Sequence, residues 1–182
     1  MSFHFEKKKA INVTLFLIHS LGGSADISRL FLLLYLADAM HLSKYGLLIS
    51  GDSYVAMKYG PAPYNLVELF RQLQADRTGI ETKAKVKVFL AVDDMQQVSA
   101  LLPYNSSLLA ASEVRCMYES LRQYKNTDAE ALRSLTTGSA WQQAKANGEI
   151  SLLDIAAEFG ASAEMTKYIS STYKSEIGSL KL

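Results

Sequence analysis

Cysteine and proline are both scarce in this sequence. Its 182 residues include a single cysteine, Cys116, and only three prolines. One cysteine excludes an intramolecular disulfide and a cysteine-rich zinc site, and this usage is typical of a reducing cytoplasm. With only ten glycines as well, the chain has too little proline and glycine for a collagen-like or linker-dominated protein. We therefore expect a cytoplasmic, globular protein.

The sequence also has no excess of charge of one sign and no long apolar run. Its 19 Lys and Arg residues against 18 Asp and Glu residues leave a net charge of +1. Because affinity for phosphate backbones depends mainly on a basic surface, this balance argues against nucleic acid as a partner. No stretch reaches the roughly 18 consecutive apolar residues of a membrane-spanning helix, so we expect no membrane segment. Residues 7–18 superficially resemble a secretory signal, but Asn12 and Thr14 interrupt the apolar stretch and favour an ordinary helix.

The apolar content is high, and its densest stretch predicts the centre of the fold. Hydrophobic residues make up 49% of the chain, which is too much for a disordered protein and enough for one domain spanning residues 1–182. Residues 30–37 are apolar on every side of a helix, and such a helix must be surrounded by protein. Asp26 is placed to cap this helix and Gly46 to end it.

Alternating and turn-forming residues predict a small antiparallel sheet. The turn residues 50–52 separate two short segments, 47–49 and 54–59, that we expect to be extended, and Gly60 with the following prolines is expected to close this region. Residues 86–92 place valine or leucine at every second position and predict a further strand.

The rest of the chain is predicted to be helical. Thr127 with Glu130, and Ser139 with Gln142, have the spacing of capping boxes at helix starts. The predicted helices cover approximately residues 5–20, 66–73, 114–124, 152–159 and 162–173. The expected fold is mainly α (α+β): a single helical domain around a buried central helix, with a small antiparallel β-sheet or hairpin.

Few residues suggest catalysis. Asp38 and His41 are three residues apart on the central helix and could form a base with its orienting carboxylate, or two metal ligands. Near a helix end such residues more often satisfy backbone and loop groups, and we favour that interpretation over a hydrolase centred on Asp38, His41 and Asp52. Cys116 has no activating histidine nearby in the sequence. No P-loop, dinucleotide-binding glycine pattern, nucleophile elbow or zinc-protease motif occurs, which argues against an enzyme without excluding one, and a metal site is unsupported.

One segment suggests a different class of function. Residues 152–173 read as helix, glycine turn and helix, the pattern of a DNA-binding regulator, with the turn at Gly160. However, Thr166 stands where such motifs usually bury an aliphatic side chain. Only Lys167 and Lys174 could meet phosphates from the second helix, so we favour a simple helical corner.

A series of short motifs forms a signature in the first half of the chain. It comprises Leu33-Leu34-Tyr35-Leu36-Ala37-Asp38 with His41-Leu42, then Lys44-Tyr45-Gly46, Ile49-Ser50-Gly51-Asp52, and Tyr54-Val55-Ala56-Met57-Lys58-Tyr59-Gly60-Pro61 with Pro63. Downstream it continues with Leu132, Leu135, Thr136, Trp141 and Ala144. From about residue 30 to residue 155 the chain resembles the Panacea domain, an antitoxin domain also described as SocA-like and related to phage-associated GepA-type proteins.

The resemblance implies a bacterial or phage-borne protein that binds a cognate protein toxin and neutralises it. In some relatives the domain is thought to deliver the toxin to a protease. Neither a cofactor nor catalysis is implied. The resemblance gives a structural or partner-binding role to Tyr35, Asp38, His41, Gly46, Gly51, Asp52, Tyr54, Ala56, Tyr59, Gly60, Pro61 and Trp141.

Two expectations about binding follow from the resemblance. Thr137 stands where relatives commonly have a histidine, which puts in doubt any polar cluster that includes that histidine. Because the signature residues suit a scaffold, we expect partner binding to depend on exposed aromatic residues outside it. The candidates are Tyr64, Tyr104 and Tyr118, and for each of them packing in the core is an equally good interpretation.

Overall fold

Helices account for most of the structure, with a small amount of antiparallel sheet. The computed structural model describes residues 5–77, 85–93, 96–144, 146 and 148–179. Within them the helices are α1 Lys7–Ser20, α2 Ile27–Tyr45, α3 Tyr64–Arg77, α4 Ala111–Tyr124, α5 Ala129–Thr136, α6 Ser139–Gln143, α7 Leu152–Glu158 and α8 Ala163–Ser179. The strands are β1 Ser24–Asp26, β2 Tyr54–Met57, β3 Gly60–Pro63, β4 Leu90–Val92 and β5 Gln97–Ala100. The expected mainly helical class with a minor sheet is confirmed.

Helix α2 is the central element, as predicted. Every residue from 30 to 39 is buried, and the helix packs against α1, α4, α5, α7, α8, β1 and β3. The Asp26 carboxylate accepts a hydrogen bond from the backbone N–H of Arg29 at 2.9 Å, which satisfies one of the free donors of the first turn. At the other end Gly46 has φ 77°, and a Cβ built there would lie 2.6 Å from the ring of Tyr168. Glycine is therefore required at this helix end for two reasons, backbone conformation and close packing of α8.

Two apolar clusters lie on different faces of α2. The larger cluster combines α2 with α1, α3, α4 and the strands of the sheet, and includes Phe16, Phe31 and Phe70. The smaller cluster surrounds Tyr35 and contains Tyr54 with residues from α7 and α8. Because α2 supplies side chains to both clusters, its burial on all sides follows directly from its position between them.

The three-stranded sheet has the order β1-β5-β4 and is antiparallel throughout. Leu90 pairs with Ala100 and Val92 with Val98, which places these side chains on the core side of the sheet. The strand predicted for residues 86–92 is wrong in its first half, because Lys85–Val88 forms a 3₁₀ turn. Strand β5 ends at Ala100, opposite Leu90, so within the described residues the earlier positions have no strand to pair with.

Strands β2 and β3 form a separate hairpin in which Tyr54 faces Pro63 and Ala56 faces Pro61. The prolines are tolerated because the Ala56 N–H donates away from β3, to the carbonyl of Gly148 at 2.9 Å. The Tyr54 carbonyl likewise accepts from Ile150 on that side. Pro61 and Pro63 therefore lie opposite residues that need no donor from β3. The Gly-Pro segment ends this region, since α3 begins at Tyr64, and it also forms strand β3, which was not predicted.

Residues 47–49, predicted to be extended, do not join a strand. The backbone N–H groups of Ile49 and Ser50 donate to the carboxylate of Asp38 on α2 instead of to a neighbouring strand. A buried acceptor within reach replaces the ladder that an extended segment would need. The prediction was wrong because the local sequence of residues 47–49 does not show that Asp38 lies within hydrogen-bond distance of this segment.

Two predicted capping boxes are also wrong. Helix α5 is capped by Asp128, whose carboxylate accepts from the N–H of Ala131 at 2.9 Å, rather than by Thr127. A carboxylate one residue later is the better acceptor for this helix start. Helix α6 begins at Ser139 and is capped by Glu158 from α7, 18 residues away in sequence from Ala140.

Within the described part of the chain no helix is long and apolar enough to cross a membrane.

Candidate functional site

Asp38 lies at the centre of the signature and is completely buried. Its carboxylate accepts hydrogen bonds from the N–H groups of Ile49 and Ser50, from the Ser50 hydroxyl at 2.5 Å, and from the Tyr54 hydroxyl at 2.7 Å. Burial raises the pKa of Asp38, and the four hydrogen bonds oppose that rise. This carboxylate joins α2, the following loop and β2, and its acceptor sites are all used inside the protein.

Asp52 makes a second internal junction. Its carboxylate accepts from the N–H and side-chain amide of Asn65 and from the N–H of Leu66, at 2.8–3.0 Å. These backbone donors belong to the first turn of α3, so Asp52 caps that helix from the preceding loop. Burial raises the pKa of Asp52 while the same hydrogen bonds lower it. Gly51, just before it, has φ 64°, and the Asp52 N–H donates to the Ser50 hydroxyl at 3.2 Å.

His41 does not pair with Asp38. Its Nδ1 lies 2.7 Å from the carbonyl oxygen of Leu47 and its Nε2 lies 3.1 Å from the hydroxyl of Ser112. Because a carbonyl oxygen only accepts, Nδ1 carries a proton. The imidazole therefore ties the loop after α2 to the start of α4, while the two carboxylates bond elsewhere. The arrangement of a base with its orienting carboxylate is not formed, and a hydrolase centred on these three residues lacks its geometry.

Two tyrosines in contact with each other lie beside Asp38. The rings of Tyr35 and Tyr54 meet edge to face with centroids 5.0 Å apart, and both side chains are buried. Tyr54 donates to Asp38, whereas the Tyr35 hydroxyl has no hydrogen-bond partner among the described residues. Burial raises the pKa of both phenols; the charge of Glu158 adds to the rise at Tyr35, and the charge of Asp38 adds to it at Tyr54. Both rings therefore stay neutral near pH 7.

The turn of the β2–β3 hairpin projects toward solvent. Tyr59 is 60% exposed, with the Lys58 ammonium 5.3 Å and the Arg133 guanidinium carbon 5.8 Å from its ring centroid. Gly60 follows with φ 122°, and a Cβ there would lie 2.8 Å from a methyl of Leu32. The turn must therefore be tight against α2. Thr137 approaches the same turn, since its methyl would lie 3.9 Å from that Cβ.

Trp141 joins the hairpin to the later helices. Its indole N–H donates to the carbonyl of Met57 at 3.2 Å. The start of its helix is fixed by Glu158, whose carboxylate accepts from the N–H of Ala140 at 2.6 Å and from the Ser139 hydroxyl at 3.0 Å. Helices α6 and α7 are thus locked together beneath the hairpin.

The structure brings most signature residues together around the hairpin and the part of α2 that packs against it. Tyr35, Asp38, Tyr54, Ala56, Pro61 and Trp141 contact one another or pair directly across this region. His41 and Gly46 lie farther along, at the end of α2. Within the described residues no group of His, Cys, Asp and Glu side chains could hold a metal ion.

Three aromatic residues were expected to be exposed anchors. Tyr64 is 58% exposed and Tyr118 is 54% exposed, whereas Tyr104 is half-buried. Tyr104 and Tyr118 each form a T-shaped contact with the ring of Phe16, with centroids 5.1 and 5.0 Å away. Tyr118 therefore combines a contact to the core with an exposed remainder that a partner could reach.

Sequence reasoning missed several residues that hold this region together. Ser112, Asn65 and Glu158 supply hydrogen bonds to His41, Asp52 and α6. Each acts on an element distant in sequence, and a local pattern carries no signal for such a contact. Arg133 was also missed, although it donates to the Lys58 carbonyl at 3.0 Å and covers Tyr59.

The carboxylates of Asp38 and Asp52 and both ring nitrogens of His41 are thus engaged in hydrogen bonds within the protein. A family model described as antitoxin SocA-like, Panacea domain, matches residues 30–142, from α2 to α6. The chain belongs to this family, as the signature indicated. Comparisons with curated proteins and with solved structures give no significant match.

Proposed function

We propose that this protein is an antitoxin that binds a cognate protein toxin directly and neutralises it in the cytoplasm, without catalysis. The observation that carries the proposal is the family match over residues 30–142. That stretch contains the central helix, the hairpin and the helices that pack around them. Family membership alone does not name the toxin.

The contacts of the signature residues support binding over chemistry. Asp38 and Asp52 each accept three or more internal hydrogen bonds, and His41 uses both ring nitrogens. None of these groups is left to act on a substrate, so their effect is to hold the loop and hairpin in one conformation. A rigid platform lowers the entropy cost of binding, since fewer groups are ordered when the partner arrives.

Co-expression tests the proposal. The protein is produced together with the product of each adjacent reading frame that arrests growth when expressed alone. Rescue of growth, with co-purification of the two chains, is the expected result. If no adjacent product is both toxic and neutralised, the antitoxin proposal loses its support. Repeating rescue in a host lacking its cytoplasmic proteases separates occlusion of the toxin from delivery to a protease, because delivery requires the protease.

A DNA-binding regulator is the second candidate. Helices α7 and α8 follow one another with a turn at Gly160, and the hydroxyl of Ser162 accepts from the N–H of Met165 at 3.1 Å. Against it, Glu164 and Lys167 are both exposed on α8, so the described surface of this helix carries little net charge. Gel-shift assays with the protein's own promoter at low salt should show no retardation. Salt-sensitive retardation would favour the regulator.

A further inference from the structure

Two surface grooves meet at the exposed hairpin turn. One has a volume of about 360 Å³ and runs between the hairpin, α2 and α3. The other, about 470 Å³, runs between the turn and α5. Ser28, Leu32 and Tyr59 line both, so the tyrosine ring forms the ridge between them. Neither groove contains the buried carboxylates described above.

The first groove combines an apolar floor with basic edges. Its floor includes Phe31 and Phe70, whose stacked rings have centroids 5.4 Å apart. Lys58 and Arg71 lie along its edges, and the described residues that line it include no carboxylate. Arg71 has one weak partner, Glu68, at 3.6 Å, with both side chains more than half exposed. Because so exposed an ion pair is weak, Arg71 can leave Glu68 and pair with a better-placed anion.

The hairpin edge restricts how a partner could bind. A peptide added as a further strand needs alternating N–H and C=O groups on the edge of β3. The outward positions of that strand are Pro61 and Pro63, because the residues opposite them, Ala56 and Tyr54, direct backbone groups away from it. Proline has no N–H, so the edge offers carbonyls alone. Recognition at this surface must therefore depend on side chains.

We propose that the groove between the hairpin, α2 and α3 binds an acidic segment of a partner protein. A large apolar side chain of that segment would sit over Phe31 and Phe70, and carboxylates on either side of it would pair with Lys58 and Arg71. Charge complementarity and the apolar floor together favour this ligand over a purely ionic one such as a phosphate backbone. The identification of the partner as a toxin rests on the proposed function; the groove's chemistry does not.

A random peptide display library is the probe for the groove. Peptides are selected on the immobilised full chain and then measured for binding to the wild type and two double variants. We expect acidic residues around a large apolar residue, and binding to K58E/R71E weakened about tenfold because attraction becomes repulsion. K7E/K8E makes the same charge change on the exposed first turn of α1 and should bind within about twofold of the wild type. Selected peptides without acidic enrichment, or equal weakening in both variants, would overturn the proposal.

Further measurements distinguish a folding defect from a loss of binding, and test whether the partner of the groove is a toxin. Circular dichroism and thermal unfolding check both variants, and the neutral K58Q/R71Q replaces K58E/R71E if the latter unfolds, with an expected loss of about threefold. The same variants enter the growth-rescue experiment. If K58E/R71E neutralises a toxin as well as the wild type does, the antitoxin function stands and the toxin is not the partner of the groove, and the peptide selection alone then decides the groove proposal. If no toxin is found but acidic peptides still depend on Lys58 and Arg71, the antitoxin function fails and the groove proposal stands.

Discussion

At the scale of single residues, the signature is dominated by polar groups that serve the interior. Two tyrosines illustrate how differently the same side chain can contribute. The Tyr54 hydroxyl donates to Asp38, while the hydroxyl of Tyr35, whose ring meets that of Tyr54 edge to face, has no partner in the described part of the chain. A buried hydroxyl without a hydrogen bond costs free energy, whereas a bonded one contributes.

The pair gives a matched prediction. Tyr35→Phe removes an unpaired hydroxyl and should raise the free energy of unfolding by about 1 kcal/mol. Tyr54→Phe removes a donor from the buried carboxylate of Asp38 and should lower it by about 1–3 kcal/mol. Both changes keep the ring and its packing, so each is the control for the other. Urea unfolding of the two variants measures the effect, and destabilisation by Tyr35→Phe comparable to that by Tyr54→Phe would contradict the assignment.

At the scale of elements, helix starts are capped either by the residue just before them or by a side chain farther along the chain. Helices α2, α5, α7 and α8 are capped by a residue immediately before their first turn. Helices α3 and α6 are instead capped by Asp52 and Glu158 from other elements. Such long-range caps couple the helix start to the packing of the neighbouring element, since the cap is lost when the two separate.

Glu158→Ala tests this coupling through the single tryptophan of the chain. Loss of the carboxylate leaves the Ala140 N–H of α6 unpaired and should lower the free energy of unfolding by about 1–2 kcal/mol. Because Trp141 lies on that short helix, its fluorescence should shift to longer wavelength as the side chain becomes more hydrated.

Glu130→Ala is the control, since this exposed carboxylate lies in the first turn of α5, whose cap is Asp128. It should leave the tryptophan spectrum unchanged. An unchanged spectrum in Glu158→Ala as well would show that the contact does not hold α6 in place.

At the scale of the whole molecule, the buried phenols link stability to alkaline pH. Their pKa values in the unfolded chain lie near 10.0, and burial raises both in the folded protein. Below pH 10 both phenols keep their protons in the folded and in the unfolded protein, so the contribution of these tyrosines to the free energy of unfolding is fully present. Above it only the unfolded state loses protons from Tyr35 and Tyr54, so stability falls as pH rises toward the folded-state values.

We therefore expect the free energy of unfolding to fall above pH 10, by up to about 1.4 kcal/mol per pH unit for each buried tyrosine. Chemical denaturation between pH 8 and 11 measures the slope. Tyr35→Phe removes one of the two groups and should make the decline shallower. An identical slope in the wild type and the variant would show that Tyr35 does not carry this linkage.

The elements that were predicted correctly are those whose structure depends on nearby residues in the sequence. The helix periods, the cap at Asp26 and the stop at Gly46 depend on residues within a few positions of one another. The buried run of residues 30–37 likewise identifies the central helix without further information, because no other environment suits a helix apolar on every side. The family signature lies along the same stretch, which is why the class of protein could be recognised.

The predictions that failed depended on contacts between distant residues. Residues 47–49 have an extended-looking sequence, but their donors bond to Asp38 rather than to a strand. Residues 86–88 alternate correctly, yet β5 stops short of them. The capping box at Ser139 was displaced by Glu158. In each case an acceptor or a partner strand that is remote in sequence decided the outcome.

Local periodicity, short-range caps and motif order were enough to predict the helical class, the central helix and the family. The packing of distant segments sets which backbone donors meet Asp38 and Asp52, places Pro61 and Pro63 in a strand, and brings Lys58, Tyr59 and Arg71 to one apolar groove. A hydrogen bond or a groove between distant segments depends on where the whole chain places each group, and no local pattern specifies that position.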